Sequence, residues 1–301
     1  MTSLFTVIIP VFNREKTIRR AVKSVLSQTY SDFKLVIVDD GSTDNTSSIL
    51  SGYKDSRMTV IRTENRGVSA ARNTAVKKLS TPYAAFLDSD DEWLDYKLEN
   101  DYQFILANPL CCIFQSQEIW YRYDKRVNPK IRHKKKSGSI FEESLEQCMI
   151  SPSSVVIHKK VFENIGLFDQ NMAVCEDYDL WLRITPFYEI GLIDRQTIIK
   201  YGGAEDQLSR SVTAIDRFRI YSMLKLLNNT KYAGYQKKIE TVLKRKINIV
   251  MDGAEKNGNI VLFENLKRIM SFIEKGCTPP PACNVWTPWR TRRCWSCPAS
   301  Q

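Results

Sequence analysis

The sequence predicts an α/β fold: a mostly parallel open sheet flanked by helices, followed by a C-terminal helical region. Three observations predict it. Four short apolar runs are separated by helical stripes before residue 90, polar residues cluster just after three of those runs, and the basic excess is confined to the end of the chain. With 301 residues, 43% of them hydrophobic, the chain can bury a sizeable core.

Residues 4–10 form an apolar run that reads as a buried strand, and Ile18, Ala21, Val22, Val25 and Leu26 then recur on one helical stripe. A second buried strand, 34–38, ends at Asp39-Asp40-Gly41. A helix over 44–53 leads to a third strand near 58–61, and the turn Asn65-Arg66-Gly67 opens a helix carrying Ala70, Ala71, Ala75 and Val76. The fourth strand, 83–87, runs straight into Asp88-Ser89-Asp90-Asp91. A β-α-β-α-β-α-β order implies right-handed crossovers and parallel pairing. Asn13-Arg14, Asp39-Asp40 and the acids from Asp88 to Asp91 would then share the carboxyl edge of the sheet, where such folds bind ligands.

A helix over 95–107 stops before Asn108-Pro109, and a less regular section follows. Its basic stretch, 130–136, reads as a solvated loop. Residues 153–157 read as a strand, 159 onward as a helix stopped by Gly166, and 176–184 as a further helix. From 216 to 275 the pattern is helical, with Ile239, Val242, Leu243, Ile247 and Val250 spaced for one apolar face. The last 25 residues hold Pro279-Pro280-Pro281, Trp286, Trp289, Trp295, four cysteines and no acid, which suggests a disordered or non-native tail. Cys294 and Cys297 have a spacing suited to zinc, whereas Cys277 and Cys283 stand too far apart for a zinc knuckle.

The net charge of +10 is uneven. Residues 1–216 carry 28 Lys and Arg against 29 Asp and Glu, whereas 217–276 carry 13 against 5. A near-neutral body argues against a general nucleic-acid binder. The basic helices could touch anionic lipid head groups, with an ordinary packed helical subdomain as the plainer alternative. No apolar run approaches the roughly 18 residues of a membrane span. The N-terminus lacks a basic leader and cleavage site, and Cys111, Cys112, Cys148 and Cys175 lack framework spacing. A cytoplasmic location is therefore expected, with residues 217–276 as the segment for peripheral contact with the inner face of the cell membrane.

Three carboxylates crowded at a strand end are costly unless a cation neutralises them. Hard oxygen ligands at that density suit Mg²⁺ or Mn²⁺, while the alternative is a cap on the following helix, the role expected of Asp91. Neither Gly-x-Gly-x-x-Gly nor Gly-x-x-x-x-Gly-Lys-Ser/Thr occurs where it is needed, which disfavours a dinucleotide oxidoreductase and a P-loop kinase or ATPase.

Five motifs follow one another: Thr6-Val-Ile-Ile-Pro-Val-Phe-Asn13, Val38-Asp-Asp-Gly-Ser-Thr-Asp44, Asn65-Arg-Gly-Val-Ser-Ala-Ala-Arg-Asn73, Phe86-Leu-Asp-Ser-Asp-Asp91 and Glu176-Asp-Tyr-Asp-Leu-Trp-Leu-Arg183. Together they closely resemble the family 2 inverting glycosyltransferases of GT-A fold, whose open sheet is Rossmann-like, over about residues 4–211. The resemblance implies a nucleotide-sugar-binding half, 1–107, and an acceptor-binding half, 108–215, of one domain, then a basic helical appendage, 216–276, and the tail, 277–301.

It also implies roles. Pro10, Asn13, Asp39, Asp40, Arg72 and Asp88 would bind the nucleotide. A carboxylate can accept from a uracil N–H or ribose hydroxyls, and the forked arginine suits phosphate. For Asp39-Asp40 the plain alternative is an Asp-Gly turn, and for Arg72 a surface salt bridge. Asp90, with Asp88, would hold Mn²⁺ or Mg²⁺ on the diphosphate. Asp177 would be the base that takes the acceptor's proton, with Glu176 beside it in the acceptor site. Asp179 and Arg183 are spaced for an i,i+4 pair. Trp181 is read as core or as a sugar-stacking platform. Gln207, Ser209 and Arg210 occupy the family's flexible donor loop, although residues 201–211 lack the histidine many relatives carry there.

The implied activity is metal-dependent transfer of a sugar, from a UDP-sugar, to a hydroxyl of a glycan or lipid-linked acceptor in cell-surface polysaccharide synthesis. The alternative is a catalytically silent sugar-nucleotide-binding relative. A glycosidase would share the two carboxylates but not the nucleotide-type edge, and a sugar-nucleotide pyrophosphorylase would need a glycine- and arginine-rich N-terminal loop that is absent.

Overall fold

A nine-stranded sheet organises the first of two units, Met1–Ile215 and Asp216–Gln301, into which the chain divides. The computed structural model describes residues 3–123, 125–128, 134–203 and 215–277. The four predicted apolar runs are β1 (Phe5–Val11), β2 (Phe33–Asp39), β3 (Met58–Arg62) and β4 (Tyr83–Phe86). They pair in parallel in the order β3-β2-β1-β4. Helices α1 (Ile18–Leu26), α2 (Thr46–Ser51) and α3 (Val68–Val76) are the crossovers between them.

Alternate side chains of β1 serve opposite faces. Val7 and Ile9 join Ile18 and Val22 of α1 in one apolar cluster, and Ile8 joins Ala71 and Ala75 of α3 in another. Each such aliphatic contributes about 1.5–3 kcal/mol on burial, so a strand apolar on both faces anchors the sheet.

The fold class is the one expected, and beyond β4 the sheet continues as a mixed half. It adds β5 (Glu92–Trp93), β6 (Ile113–Arg122), β7 (Lys125–Val127), β8 (Val155–His158) and β9 (Gly191–Gly202). The full order is β3-β2-β1-β4-β8-β6-β9-β5, with β7 paired to β6. Strand β8 is antiparallel to β4 and β6, while β9 runs parallel to β6 and antiparallel to β5. The section read as irregular therefore contains the ten-residue β6. Gln115 and Ser116 are fully buried in it, and their polarity hid the strand pattern. Pro152 opens a short 3-10 turn, Pro152–Ser154, so the strand read over 153–157 begins instead at Val155.

Helices α4 (Lys97–Ala107), α5 (Phe141–Glu146), α6 (Lys159–Ile165) and α7 (Glu176–Ile184) complete the unit. The solvated-loop reading of 130–136 fails at Lys135. Its side chain is buried, with Nζ on Glu118 (3.1 Å), Gln115 (3.0 Å) and Ser154 (2.5 Å).

In the second unit α9 (Gln236–Lys256) packs on α8 (Asp216–Leu227) and α10 (Ile260–Glu274). Ile239, Leu243, Ile247 and Val250 are buried and Val242 is half-buried. Among the described residues no helix is long and apolar enough to cross a membrane. Cys277 is exposed, and Cys283 and the pair with the zinc spacing, Cys294 and Cys297, lie outside the described residues.

Candidate active site

The carboxyl ends of β1 and β2 are joined by hydrogen bonds to neutral groups. Pro10 is buried within β1. Asn13 follows in the left-handed region, at φ 50°, which asparagine tolerates. Its Oδ1 accepts from Thr43 N (2.8 Å) and its own N–H donates to Ser42 Oγ (3.0 Å). Buried Asp39 accepts from Ser42 N (2.8 Å) and from the Ser47 hydroxyl. Buried Asp40 accepts from Gly67 N (2.7 Å), Arg66 N (3.1 Å) and Thr63 Oγ1 (3.2 Å). Gly41 must be glycine: its φ is 78°, and a Cβ would lie 2.9 Å from Asn65 N. Thus Asp39-Asp40-Gly41 is a built turn, and it stitches β2 to the start of α3.

The acids after β4 are instead met by cations. Arg72, buried on α3, reaches Asp88 through Nη2 (2.7 Å) and Glu176 through Nη1 (2.5 Å). It is therefore no surface pair, and its two terminal nitrogens are engaged by carboxylates. Burial alone would raise the Asp88 carboxyl, but Arg72 and Lys200 outweigh it and hold that group below the ordinary range. Glu176 moves the other way, up, because it is more deeply buried than Asp88 and stands beside Asp177, against which Arg72 prevails less.

Asp91 does not cap a helix; β5 comes next and α4 starts at Lys97. Its carboxylate is buried and accepts from Ser153 Oγ (2.5 Å) and Tyr201 N (3.2 Å), with Lys200 Nζ at 3.1 Å. Burial, with Asp90 and Asp88 adding, pushes this carboxyl up to about 7 despite Lys200. Ser153 Oγ also accepts from Asp88 N (3.1 Å), so the 3-10 turn positions both ends of the acidic run.

Helix α7 starts from strained backbone. Cys175 precedes it at φ 62°, costly for a residue with a Cβ. Asp177 is half-buried and accepts from Tyr178 N (2.7 Å) and Cys148 Sγ (3.3 Å). Asp179 and Arg183 form the expected i,i+4 pair at 3.0 Å. Trp181 is core and no sugar platform: it is 1% exposed and meets Phe168 edge-on at 6.5 Å. Asn73 holds that Phe168 from α3, accepting from its N (3.0 Å) and donating to its O (2.8 Å). Gln207, Ser209 and Arg210 lie outside the described residues.

Among the described residues no three His, Cys, Asp or Glu side chains converge as a metal cage. A Mg²⁺-type ion asks for less, because it keeps waters and is held by one or two carboxylates plus substrate phosphates. Asp90 suits that donor set. No described side chain hydrogen-bonds its carboxylate, which burial and then Asp88 push up against Lys200 and Arg14. Asp88, Asp91, Glu118 and Glu176 meet three cations by ion-pair contact, Arg72, Lys135 and Lys200, and Asp90 has no such contact among the described residues. The residues present fit a divalent ion at Asp88 and Asp90.

Sequence reasoning missed Lys200, Ser153 and the Glu118–Lys135 pair. For Lys200 the signal was its place just before Tyr201-Gly202-Gly203, and it needed the register of β9 to be read.

Comparison with known proteins shows the family and the fold. An uncharacterized glycosyltransferase of Rickettsia felis is 34% identical over 198 residues, covering 64% of this chain and 32% of that protein. The chain thus spans about a third of that relative's length. The UDP-Glc:alpha-D-GlcNAc-diphosphoundecaprenol beta-1,3-glucosyltransferase of Escherichia coli is 33% identical over 218 residues, 72% of this chain and 81% of that one. Among solved structures, Staphylococcus aureus TarS 1–349 in complex with UDP-GlcNAc superposes with a TM-score of 0.64 at 17% identity, over 91% of this chain and 92% of that one, a likeness of fold. Residues 6–166 match the family described as glycosyl transferase family 2, more than half of the sequence. The chain belongs to glycosyl transferase family 2.

Proposed function

We propose that this chain is a metal-dependent, inverting glycosyltransferase that moves a sugar from a UDP-sugar to a hydroxyl of a glycan or lipid-linked acceptor in cell-surface polysaccharide synthesis. The observation that carries the reading is the Arg72 bridge. One buried guanidinium joins Asp88 of the Asp-X-Asp run to Glu176 of the Glu-Asp pair, 104 residues from the arginine. Leaving-group acids and candidate base therefore stand on either side of a single side chain. The E. coli relative, named for a UDP-Glc donor, a diphosphoundecaprenol-linked acceptor and a β-linkage, supports the same substrate classes.

In this reading Asp39 and Asp40 accept from the base and ribose with lone pairs left over from the turn. Asp88 and Asp90 would hold Mn²⁺ or Mg²⁺, which would neutralise charge on the departing diphosphate. The acceptor oxygen attacks the anomeric carbon from the face opposite the diphosphate as the glycosyl–phosphate bond breaks. Asp177 takes the hydroxyl proton in the same step, which inverts the anomeric centre. Tyr178 N and Cys148 Sγ orient that carboxylate and leave part of it open. Arg72 keeps Glu176, and with it the first turn of α7, in register with Asp88.

The test is Asp177→Asn, assayed with UDP-sugars, Mn²⁺ and candidate acceptors. Transfer should fall by about 10²–10⁴-fold while UDP affinity is unchanged. Unimpaired transfer would refute the base assignment. A wild-type chain that binds UDP-sugars but transfers to no acceptor would favour the silent relative.

A further inference from the structure

We propose that Lys200 is a donor-site residue whose ammonium, held by Asp91 at the end of the Asp88–Asp91 run, meets the diphosphate of the nucleotide donor and shares the charge left on it as the glycosyl bond breaks. The inference deepens the function proposed above and rests on it.

Strand register puts Lys200 there. In the antiparallel pair of β5 and β9, Trp93 lies opposite Ile198 and Glu92 opposite Ile199. One step further along that register, Asp91 faces Lys200. On its other side β9 runs parallel to β6, with Trp120 opposite Lys200 and Glu118 opposite Ile198, so Glu118 is on the same face of the sheet. Lys200 Nζ lies 3.1 Å from Asp91 Oδ2 and donates to Ser151 Oγ at 3.0 Å. Asp91 is itself locked by Ser153 Oγ and Tyr201 N, which fixes the direction of the ammonium. An ammonium has three N–H donors, and these contacts leave one without a partner among the described residues.

The neighbouring Lys135–Glu118 pair shows what a purely structural ion pair looks like here. Both of its side chains are sealed, at 6% and 4% exposure. Lys200 differs: its side chain is 25% exposed while its partner Asp91 is 3%. A counter-ion for Asp91 alone would be buried with it. The open side of Lys200 instead carries the field of the acid cluster. Burial works against its charge, but Asp91, Glu118, Asp88 and Asp90 together outweigh that and keep it protonated. A permanent cation with a spare donor, beside the acids that would bind a metal–diphosphate, suits phosphate oxygens.

The test is titration calorimetry of the full chain with UDP and with uridine, in EDTA at low salt. Lys200→Met should weaken UDP binding by about tenfold or more, the scale of one charge-assisted hydrogen bond, and leave uridine binding unchanged. Lys200→Arg should recover most of the loss. Because K200M strands Asp91 as a buried unpaired acid, the double variant Asp91→Asn/Lys200→Met keeps the pair neutral and should show the same loss of UDP binding with near-native melting. UDP affinity at the wild-type level in K200M, or restored to that level in the double variant, would reduce Lys200 to a counter-ion of Asp91 and overturn the proposal. If wild type binds neither UDP nor uridine, the nucleotide-site reading falls and takes this proposal with it.

Discussion

Two groups of acids at the same sheet edge find their partners in opposite ways. Asp39, at the end of β2, and Asp40 and Asp44, in the loop after it, accept from backbone N–H groups and hydroxyls such as those of Ser42, Gly67 and Thr46. Asp88, Asp91, Glu118 and Glu176 are met by Arg72, Lys200 and Lys135, cations delivered from a helix, a strand and a loop elsewhere in the chain. The first arrangement fixes backbone geometry through neutral donors. The second sets how much charge the site carries, and so what cation or anion it can take. The difference separates a scaffold for the nucleotide from a tuned electrostatic centre.

The sharpest way to break this comparison is at Arg72. Replacing it by methionine leaves Asp88 and Glu176 without the cation that joins them. Removing one partner of a buried pair costs about 3–5 kcal/mol, and here one side chain serves two carboxylates. Urea denaturation of Arg72→Met should show a loss of that size. Arg72→Lys should remain well below wild type, since an ammonium lacks the fork that spans both acids. A loss under about 1 kcal/mol for Arg72→Met would mean that the distant cations are ornaments and the two groups of acids are alike.

What was legible in the sequence follows the same divide. Strands β1 to β4 announced themselves because each is an apolar run ended by its own turn chemistry, and Asp39-Asp40-Gly41 could be read as an edge from local spacing. The acids Asp88 and Asp90 and the Glu176-Asp177 pair were found as motifs. Their partners were not, because no local pattern says which lysine a strand register will bring beside Asp91. Lys135 looked like part of a solvated basic run until β6 and the Pro152–Ser154 turn enclosed it. Trp181 carried two readings because a helix face does not reveal what covers it, and Phe168 covers it. Asp91 was misread as a cap because acids at helix starts are common, whereas its actual partners come from Ser153 and β9.

The middle-sized effect tests the scaffold side. Asp40→Ala strips the acceptor from Gly67 N, Arg66 N and Thr63 Oγ1 at the entrance to α3. Hydrogen bonds to a charged group contribute about 1.5–3 kcal/mol, and partial access of water to the turn should hold the loss near the lower end, about 2 kcal/mol. Asp40→Asn, which keeps one acceptor oxygen, should lose less. The prediction is checked by the shift in urea midpoint at constant slope. If Asp40→Ala costs as much as Arg72→Met, neutral donors matter as much as distant cations and the contrast dissolves.

The smallest effect isolates a cation supplied locally. Asp55 accepts from Arg57 Nη2 (2.8 Å), Nε (3.0 Å) and N (2.9 Å), two residues away, and Arg57 also donates to Leu26 O (3.1 Å). The Arg57 side-chain bonds, then its backbone N–H, hold the Asp55 carboxyl down at about 2, against an ordinary 3.8. A carboxyl whose folded value is depressed contributes stability that is fully present above its unfolded value and is lost as pH falls through the folded one. The window is therefore pH 4 down to 2. The pair is about a quarter exposed, so solvent screening limits its worth to about 1 kcal/mol or less. Asp55→Asn should be less stable than wild type by that amount at pH 5, and the gap should close as the pH is lowered toward 2. NMR titration of the Asp55 carboxyl carbon provides the direct check. A gap that persists unchanged into acid would show that the aspartate acts through its turn geometry rather than its charge. Asp55 would then belong with Asp39 and Asp40, and charge tuning would be confined to the acids that Arg72, Lys135 and Lys200 reach from afar.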